Sequence, residues 1–298
     1  MSLVVNNNTM ANNVARNLNN HYARLSTSTQ RLSSGLRINS AADDAAGLAI
    51  RELMRSDIST LQQGARNAND AISLIQTADG ALGIIDEKLI RMKELAEQAA
   101  TGTYDSTQRL MIESEYQAMA PEITRIATAT DFNGIKLLDG NLSSNTHTGT
   151  DLTATGKLKV HFGTGNSSSE DYYYIQINTA TASALGVGNA NGDATRGGYT
   201  VSTQDAAQRS LVALDNAVVS KDKIRANLGA IQNRLENTIS NLTIQAENLQ
   251  TSESRISDVD VATEMTEFVR NQILTQSAVA MLSQANSMPQ MARQLIGG

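Results

Sequence analysis

Apolar residues recur at seven-residue intervals through both flanks of this 298-residue chain. Leu61, Ala68, Ile75, Leu82, Leu89 and Ala96 fall seven apart, and Ala71, Ala78, Ile85, Met92 and Ala99 form a companion row. Leu228, Leu235, Leu242, Leu249 and Ile256 repeat the spacing near the end, as do Val4, Ala11, Leu18, Leu25 and Leu32 at the start. A strict heptad keeps one apolar stripe turned toward a partner helix, whereas a half-buried strand alternates with period two. The pattern therefore predicts a mainly α fold in which long antiparallel helices form a coiled-coil rod.

Composition agrees. Aromatic residues make up 3% of the chain, Trp is absent, and the two prolines are Pro121 and Pro289. The apolar fraction is carried by Ala, Leu, Ile, Val and Met, most of them good helix formers. Asp43-Asp44 suits a helix N-terminus through its dipole. The helix it opens should run to about Ala100 and break at Thr101-Gly102-Thr103. A second helix fits Ser106 to Thr130, with Pro121 either kinking it or marking a restart.

The middle reads differently. Eleven of the 20 glycines and six of the ten aromatic residues lie between Asp131 and Thr200. Asn133-Gly134 is a hairpin-turn signal. Leu158 to Phe162 alternates in period two, and Tyr172 to Ile177 is aromatic and β-branched. A small β-hairpin region with loops is expected over about 131–200. The domain reading is two terminal coiled-coil arms, 1–42 and 256–298, around a helical rod domain, 43–255.

The arms carry opposite charge. Residues 1–42 hold Arg16, Arg24, Arg31 and Arg37 and no acid, whereas Asp258, Asp260, Glu264 and Glu267 open the C-terminal arm. Complementary signs suggest that the arms meet. Met265, Phe268, Ile273, Val279, Leu282, Ala285 and Leu295 read as an amphipathic stripe. Burying a Leu or Val contributes roughly 1.5–3 kcal/mol, whereas ordering a residue costs about 1–2 kcal/mol. An arm with few large apolar residues needs a partner surface, so two adhesive ends on a stiff middle suit self-assembly.

Several chemistries find no residues to carry them. The chain has no Cys, hence no disulfide framework or thiolate metal site. His21, His147 and His161 lack zinc-helix spacing. No dinucleotide fingerprint or P-loop is present, no cofactor is expected, and the chain does not read as an enzyme. The net charge of −6 gives no general attraction to nucleic acid. No apolar run reaches the length needed for membrane insertion, and the N-terminal stretch does not read as a cleavable signal peptide.

The motifs resemble those of a known family. Leu32-Ser33-Ser34-Gly35-Leu36-Arg37-Ile38-Asn39-Ser40-Ala41-Ala42-Asp43-Asp44-Ala45-Ala46-Gly47-Leu48-Ala49-Ile50 is similar to the N-terminal signature of bacterial flagellin. Arg66-Asn67-Ala68-Asn69-Asp70, Gln76 to Leu82 and Phe132-Asn133-Gly134 extend the likeness. Leu228 to Leu235, Ser254 to Asp260 and Gln284 to Gln290 carry it through the C-terminal half. The resemblance covers about 1–140 and 205–298. The ending Gln294-Leu295-Ile296-Gly297-Gly298 departs from the family's Leu-Leu-Arg type.

That resemblance implies a subunit of the extracellular flagellar filament that polymerises with itself for swimming motility. Its arms would line an inner tube and its helices a second layer, with outer domains missing or reduced to hairpins. It implies export through a dedicated channel, with an export chaperone, cap and junction proteins as partners. The arm residues it points to are Val4, Ala11, Leu18, Leu25, Leu32, Phe268, Ile273 and Leu282. It also implies recognition by the host Toll-like receptor for flagellin through Arg91, Leu95 and Glu115, with Leu95 as an exposed apolar anchor. Ile90 stands where strongly recognised members carry Gln. Ser143, Ser144, Ser167, Ser168 and Ser169 are the candidate O-glycosylation positions. A hook–filament junction protein is the alternative within the same class.

Overall fold

The structure, a computed structural model, describes residues 7–148, 155–168, 170–188 and 198–296. Its helices are α1 (Thr9–Ser34), α2 (Ala45–Ala100), α3 (Ser106–Ala129), the short α4 (Ala182–Leu185), α5 (Gln204–Ser257) and α6 (Val261–Ile296). Three antiparallel two-stranded pairs lie between α3 and α4: β1 (Asp131–Phe132) with β2 (Ile135–Lys136), β3 (His147–Thr148) with β4 (Thr155–Gly156), and β5 (Leu158–His161) with β6 (Tyr172–Ile175). The chain forms two compact units, Met1–Ile58 with Glu247–Gly298, and Ser59–Ala246. The mainly α architecture with long antiparallel helices is the one the heptads predict.

In the unit Ser59–Ala246, the heptad residues do what their spacing demands. The stripe from Leu61 to Ala96 and its companion row from Ala71 to Ala99 are buried. Leu214, Leu228, Leu235 and Leu242 supply the core from α5, and Tyr116, Ile123 and Ala127 supply it from α3. A capping box starts α3, with the Gln108 carboxamide oxygen accepting from the Asp105 amide at 3.0 Å. Pro121 lies inside α3 without a restart. The helix tolerates the missing N–H because Ala120, Ile123 and Ala127 remain packed around it.

The short strands are seated on this helical frame. Asn133 and Gly134 both take positive φ, 51° and 80°, which lets the β1–β2 turn close in two residues. The β5–β6 hairpin docks at Gly64, where an added Cβ would lie 2.0 Å from the Phe162 carbonyl oxygen. Asn67 donates to the carbonyl of His161 at 2.9 Å beside it. Tyr173 packs on Phe162 and takes the Arg234 guanidinium on its ring, 3.5 Å from the centroid.

Both ends of the irregular stretch are pinned. At its start, Ala180 donates to Leu138 and Ile177 to Leu142, at 3.0 and 3.3 Å. At its end, the Tyr116 hydroxyl donates to the Gly198 carbonyl at 2.8 Å, and the Gly198 amide donates to Ser210 at 3.0 Å. Burial pushes the Tyr116 phenol well above its ordinary pKa. The α4 turn at Ala182–Leu185 is an addition to the strands and loops expected there.

A heptad stripe by itself permits a slip by one repeat. Charges on its flank distinguish the registers. Asp79, Asp86 and Lys93, again seven apart, meet Arg225 at 2.7 Å, Lys221 at 2.6 Å and Asp215 at 2.5 Å on antiparallel α5. A slip in one direction would set Asp86 near Asp215, and in the other Lys93 near Lys221. The middle rung matters most, because Lys221 is only 2% exposed. Its second partner is Asp222, at 2.7 Å. Replacing Asp86 with Asn should destabilise the protein by about 2 kcal/mol in urea unfolding, less than the roughly 3–5 kcal/mol of a fully broken buried pair because Asp222 remains. Neutralising the exposed Lys93–Asp215 rung should cost about 1 kcal/mol or less.

Candidate functional site

The unit formed by Met1–Ile58 and Glu247–Gly298 is built on α1 and α6, which pair antiparallel. Asn8 donates to the Ala285 carbonyl at 2.7 Å near one end, and Arg31 meets Glu264 at 3.6 Å near the other. Asn8 also caps α1 by accepting from the Ala11 amide, and Gly35 closes that helix in the left-handed region at φ 72°. Ser28 on α1 and Asn271, Thr275 and Ala285 on α6 are buried, and Ala11 is half-buried. Leu18, Leu25 and Leu32 are half-buried on α1, as are Phe268 and Leu282 on α6. Val4 lies outside the described residues.

One expected packing residue faces away. Ile273 is 57% exposed, so it does not pack the C-terminal arm against α1. Met265 and Val279 of the same expected stripe are exposed too. The physical reason is that α6 is apolar around much of its circumference, and a single partner helix covers one side. Val261, Met265, Val269 and Ile273 advance in steps of four and form an uncovered apolar row. Val261 and Val269 were missing from the sequence reading, although the i, i+4 spacing was there to find them.

The two helix junctions of this unit are clasped together. Arg37 donates its amide to Ser257 at 2.6 Å, and Val259 donates to Gly35 at 3.0 Å, around an antiparallel bridge between Leu36 and Asp258. The Arg37 guanidinium reaches the Ile256 carbonyl at 2.6 Å, near the end of α5, where cations suit the helix dipole. The buried Arg51 donates to the Ile38 carbonyl at 2.8 Å. Basic and acidic arms do meet, at Arg31–Glu264, but Arg37 serves backbone carbonyl oxygen instead. Arg24 and Glu267 line the same α1–α6 groove.

Acids organise these junctions. Asp260 accepts from Ala262 and Thr263 at the start of α6, and Asp44 accepts from Gly47 at the start of α2. Asp43 accepts from the Ser40 amide at 2.9 Å, from the Ser40 hydroxyl at 3.1 Å and from the Asn39 amide at 3.2 Å. Those donors, the Ser40 amide foremost, hold its carboxyl below the ordinary value.

The Arg91 group belongs to the other unit. Arg91 donates to Glu115 through Nε at 2.9 Å and Nη2 at 2.8 Å, and to Glu94 through Nη1 at 3.0 Å. The two carboxylates hold its guanidinium more firmly protonated than usual, Glu115 most of all. Leu95, expected as an exposed apolar anchor, is 2% exposed and part of the core. It follows Glu94 by one residue and thus turns inward where Arg91 and Glu94 turn out. The exposed apolar neighbour is Ile90.

Among the candidate serines, Ser144 and Ser168 are exposed, and Ser167 is exposed with its amide donating to Asp171. Ser143 is half-buried and donates to the Gly140 carbonyl at 2.6 Å. Ser169 lies outside the described residues. Among the described residues, no group of His, Asp and Glu could hold a metal ion, and no helix is long and apolar enough to cross a membrane.

The depressed Asp43 value fixes the sign of a pH effect. Its contribution to the junction is full above the ordinary carboxylate value and is lost as pH falls through the lower folded value. The amide resonances of Asn39 and Ser40 should titrate together in that acidic range, and Asp43→Asn should abolish the titration.

Comparison with known proteins bears on the whole chain. Residues 5–143 match the family described as "Bacterial flagellin N-terminal helical region", and residues 211–296 match "Bacterial flagellin C-terminal helical region". The "Flagellar filament 33 kDa core protein" of Treponema phagedenis is 40% identical over 294 residues, covering 99% of this chain and 100% of that protein. The "Flagellin" of Bacillus subtilis (strain 168) is 41% identical over 303 residues, covering 98% of this chain and 99% of that protein. A crystal structure of Bacillus cereus flagellin aligns with 63% of this chain and 94% of its own, at 29% identity and a TM-score of 0.46.

Proposed function

Because this chain belongs to the bacterial flagellin family, we propose that it is the repeating subunit of a flagellar filament, a structural protein of motility that acts by polymerising rather than by catalysis. The uncovered apolar row of Val261, Met265, Val269 and Ile273 carries this reading. An isolated pair of helices gains nothing from apolar groups on its outer side, whereas a further copy would bury them. In this reading residues 1–42 and 256–298 are the inner-tube arms and 43–255 the surrounding layer. Ala11, Leu18, Leu25, Leu32, Phe268 and Leu282 hold the arm pair, and Ile273 meets neighbouring copies. The subunit leaves the cell through the flagellar export route, with an export chaperone, cap and junction proteins as transient partners, and resides outside it. Ser144, Ser167 and Ser168, in exposed loops, are the better O-glycan acceptors.

Seeded assembly of purified chain, followed by sedimentation and electron microscopy, tests the reading. Long tubes are expected. Capped or unextended seeds would favour a junction protein. Leu25→Asp should break the α1–α6 seam and lower helical content along with assembly. Ile273→Asp should abolish assembly while leaving helical content unchanged, because nothing in the pair covers that side chain. Tubes from Ile273→Asp would remove the outer row from the mechanism.

Recognition by the host Toll-like receptor for flagellin is the second part of the proposal. Its support is the exposed charged cluster of Arg91, Glu94 and Glu115, with Ile90 beside it as the apolar contact. Leu95 is buried in the core and takes no part in that surface. Arg91→Ala should lower receptor activation in a reporter cell by about tenfold, as expected for an Arg anchor worth roughly 1.4 kcal/mol. Wild-type activation by that variant would refute the assignment.

A further inference from the structure

The outer side of α6 is rich in thioethers. Met265, Met281 and Met291 are 45%, 58% and 49% exposed. On a helix of about 3.6 residues per turn, Met291 shares the azimuth of Ile273, roughly opposite Phe268, Asn271, Thr275, Leu282 and Ala285 on the α1 side. Met265 and Met281 flank that direction by about 80° on either side. The chain has no Cys, so methionine is its whole sulfur chemistry.

We propose that Met265, Met281 and Met291 form an oxidation-sensitive gate on self-assembly, with hydroperoxides as the oxidant class. The thioether sulfur attacks the peroxide O–O bond; an S–O bond forms, the O–O bond breaks, and the other oxygen leaves as water from hydrogen peroxide or as the alcohol from an organic hydroperoxide. Sulfur loses two electrons and the peroxide gains them. The product is a polar, chiral sulfoxide in place of a flexible apolar tip. Beside Met265 the neighbouring side chains one turn away are Val261 and Val269, which offer the new oxygen no donor, and at all three positions the sulfoxide is a stronger acceptor than the thioether it replaces. Burying it against another copy would therefore forfeit its hydration without replacement.

The gate rests on the reading that this side of α6 meets further copies, and it acts in one direction. A free subunit exposes the three sulfurs, whereas an assembled one covers them, so oxidation removes subunits from the growing pool and spares the finished polymer. Met111 on α3 provides an internal reference, being 70% exposed and in the other compact unit.

The test uses the full-length chain oxidised by hydrogen peroxide to about one sulfoxide per molecule. The mixture is offered to filament seeds beside untreated chain, sedimented, and both fractions are peptide-mapped. Sulfoxide at Met265, Met281 and Met291 should be enriched about fivefold or more in the unassembled fraction, the ratio that a contact loss of about 1 kcal/mol gives. Met111 sulfoxide should divide evenly. Treatment with the two stereospecific sulfoxide reductases should return the unassembled chains to competence. Even distribution of the three α6 sulfoxides, with untreated chain extending seeds normally, overturns the gate alone. Enrichment of Met111 sulfoxide to the same degree also overturns it. Untreated chain that fails to extend seeds overturns the filament reading, and the gate with it.

Discussion

A helix can be covered on only one side by a single partner, and the terminal pair α1–α6 is organised around that limit. Its seam is made of small and polar residues, Ala11, Ser28, Asn271, Thr275 and Ala285, with Leu and Phe between them. Its fully buried positions are polar or small, so little apolar volume is covered. The larger aliphatic groups of α6 are left on the far side, where only another molecule can use them. The pair is therefore held as much by its ends and junctions as by its seam. Asn8 ties one end, Arg31 and Glu264 the other, and the Arg37–Ser257 clasp joins the α1–α2 and α5–α6 junctions.

The helical unit Ser59–Ala246 solves a different problem. Its heptads supply a deep core of Leu, Ile and Ala, but a repeating pattern does not say which repeat should face which. The sign change along Asp79, Asp86 and Lys93 breaks that degeneracy, because each one-repeat slip brings like charges together. Only the rung through Lys221 is buried, and it has two carboxylates. Exposed ion pairs contribute little to stability, yet they can still discriminate between arrangements whose apolar packing is nearly equivalent. Gly64 adds a steric marker: only a residue without a side chain lets the Phe162 carbonyl settle against α2.

Much of this was legible in the sequence because it depends on periodicity and on turn chemistry. The heptads located α2 and α5, Thr101-Gly102-Thr103 marked the break before α3, and Asn133-Gly134 gave the first hairpin. The family motifs gave the rest of the frame. What the sequence did not reveal depends on azimuth and on partners distant in the chain. Leu95 looked like a surface residue because the stretch around it was compared by motif, whereas its position one residue past Glu94 turns it into the core. Ile273 looked like a packing residue because α6 is apolar on two sides, and spacing alone does not say which side α1 occupies. The Arg37 clasp and the Asp86–Lys221 rung join residues far apart in the chain, which no local pattern encodes.

The pinning of both ends of the irregular stretch has a consequence for what this scaffold can carry. Leu138 and Leu142 bond to Ala180 and Ile177, Tyr116 on α3 and Ser210 on α5 hold Gly198, and between them the β5–β6 hairpin is seated on α2 at Gly64 and Asn67. The chain between Leu142 and β5 is therefore bounded by two fixed points. Closing a longer flexible span between the same points costs only about 0.6 kcal/mol for each doubling of length. The helical frame beneath is thus largely indifferent to added length between Leu142 and β5, because that length enters none of the helix–helix packing below.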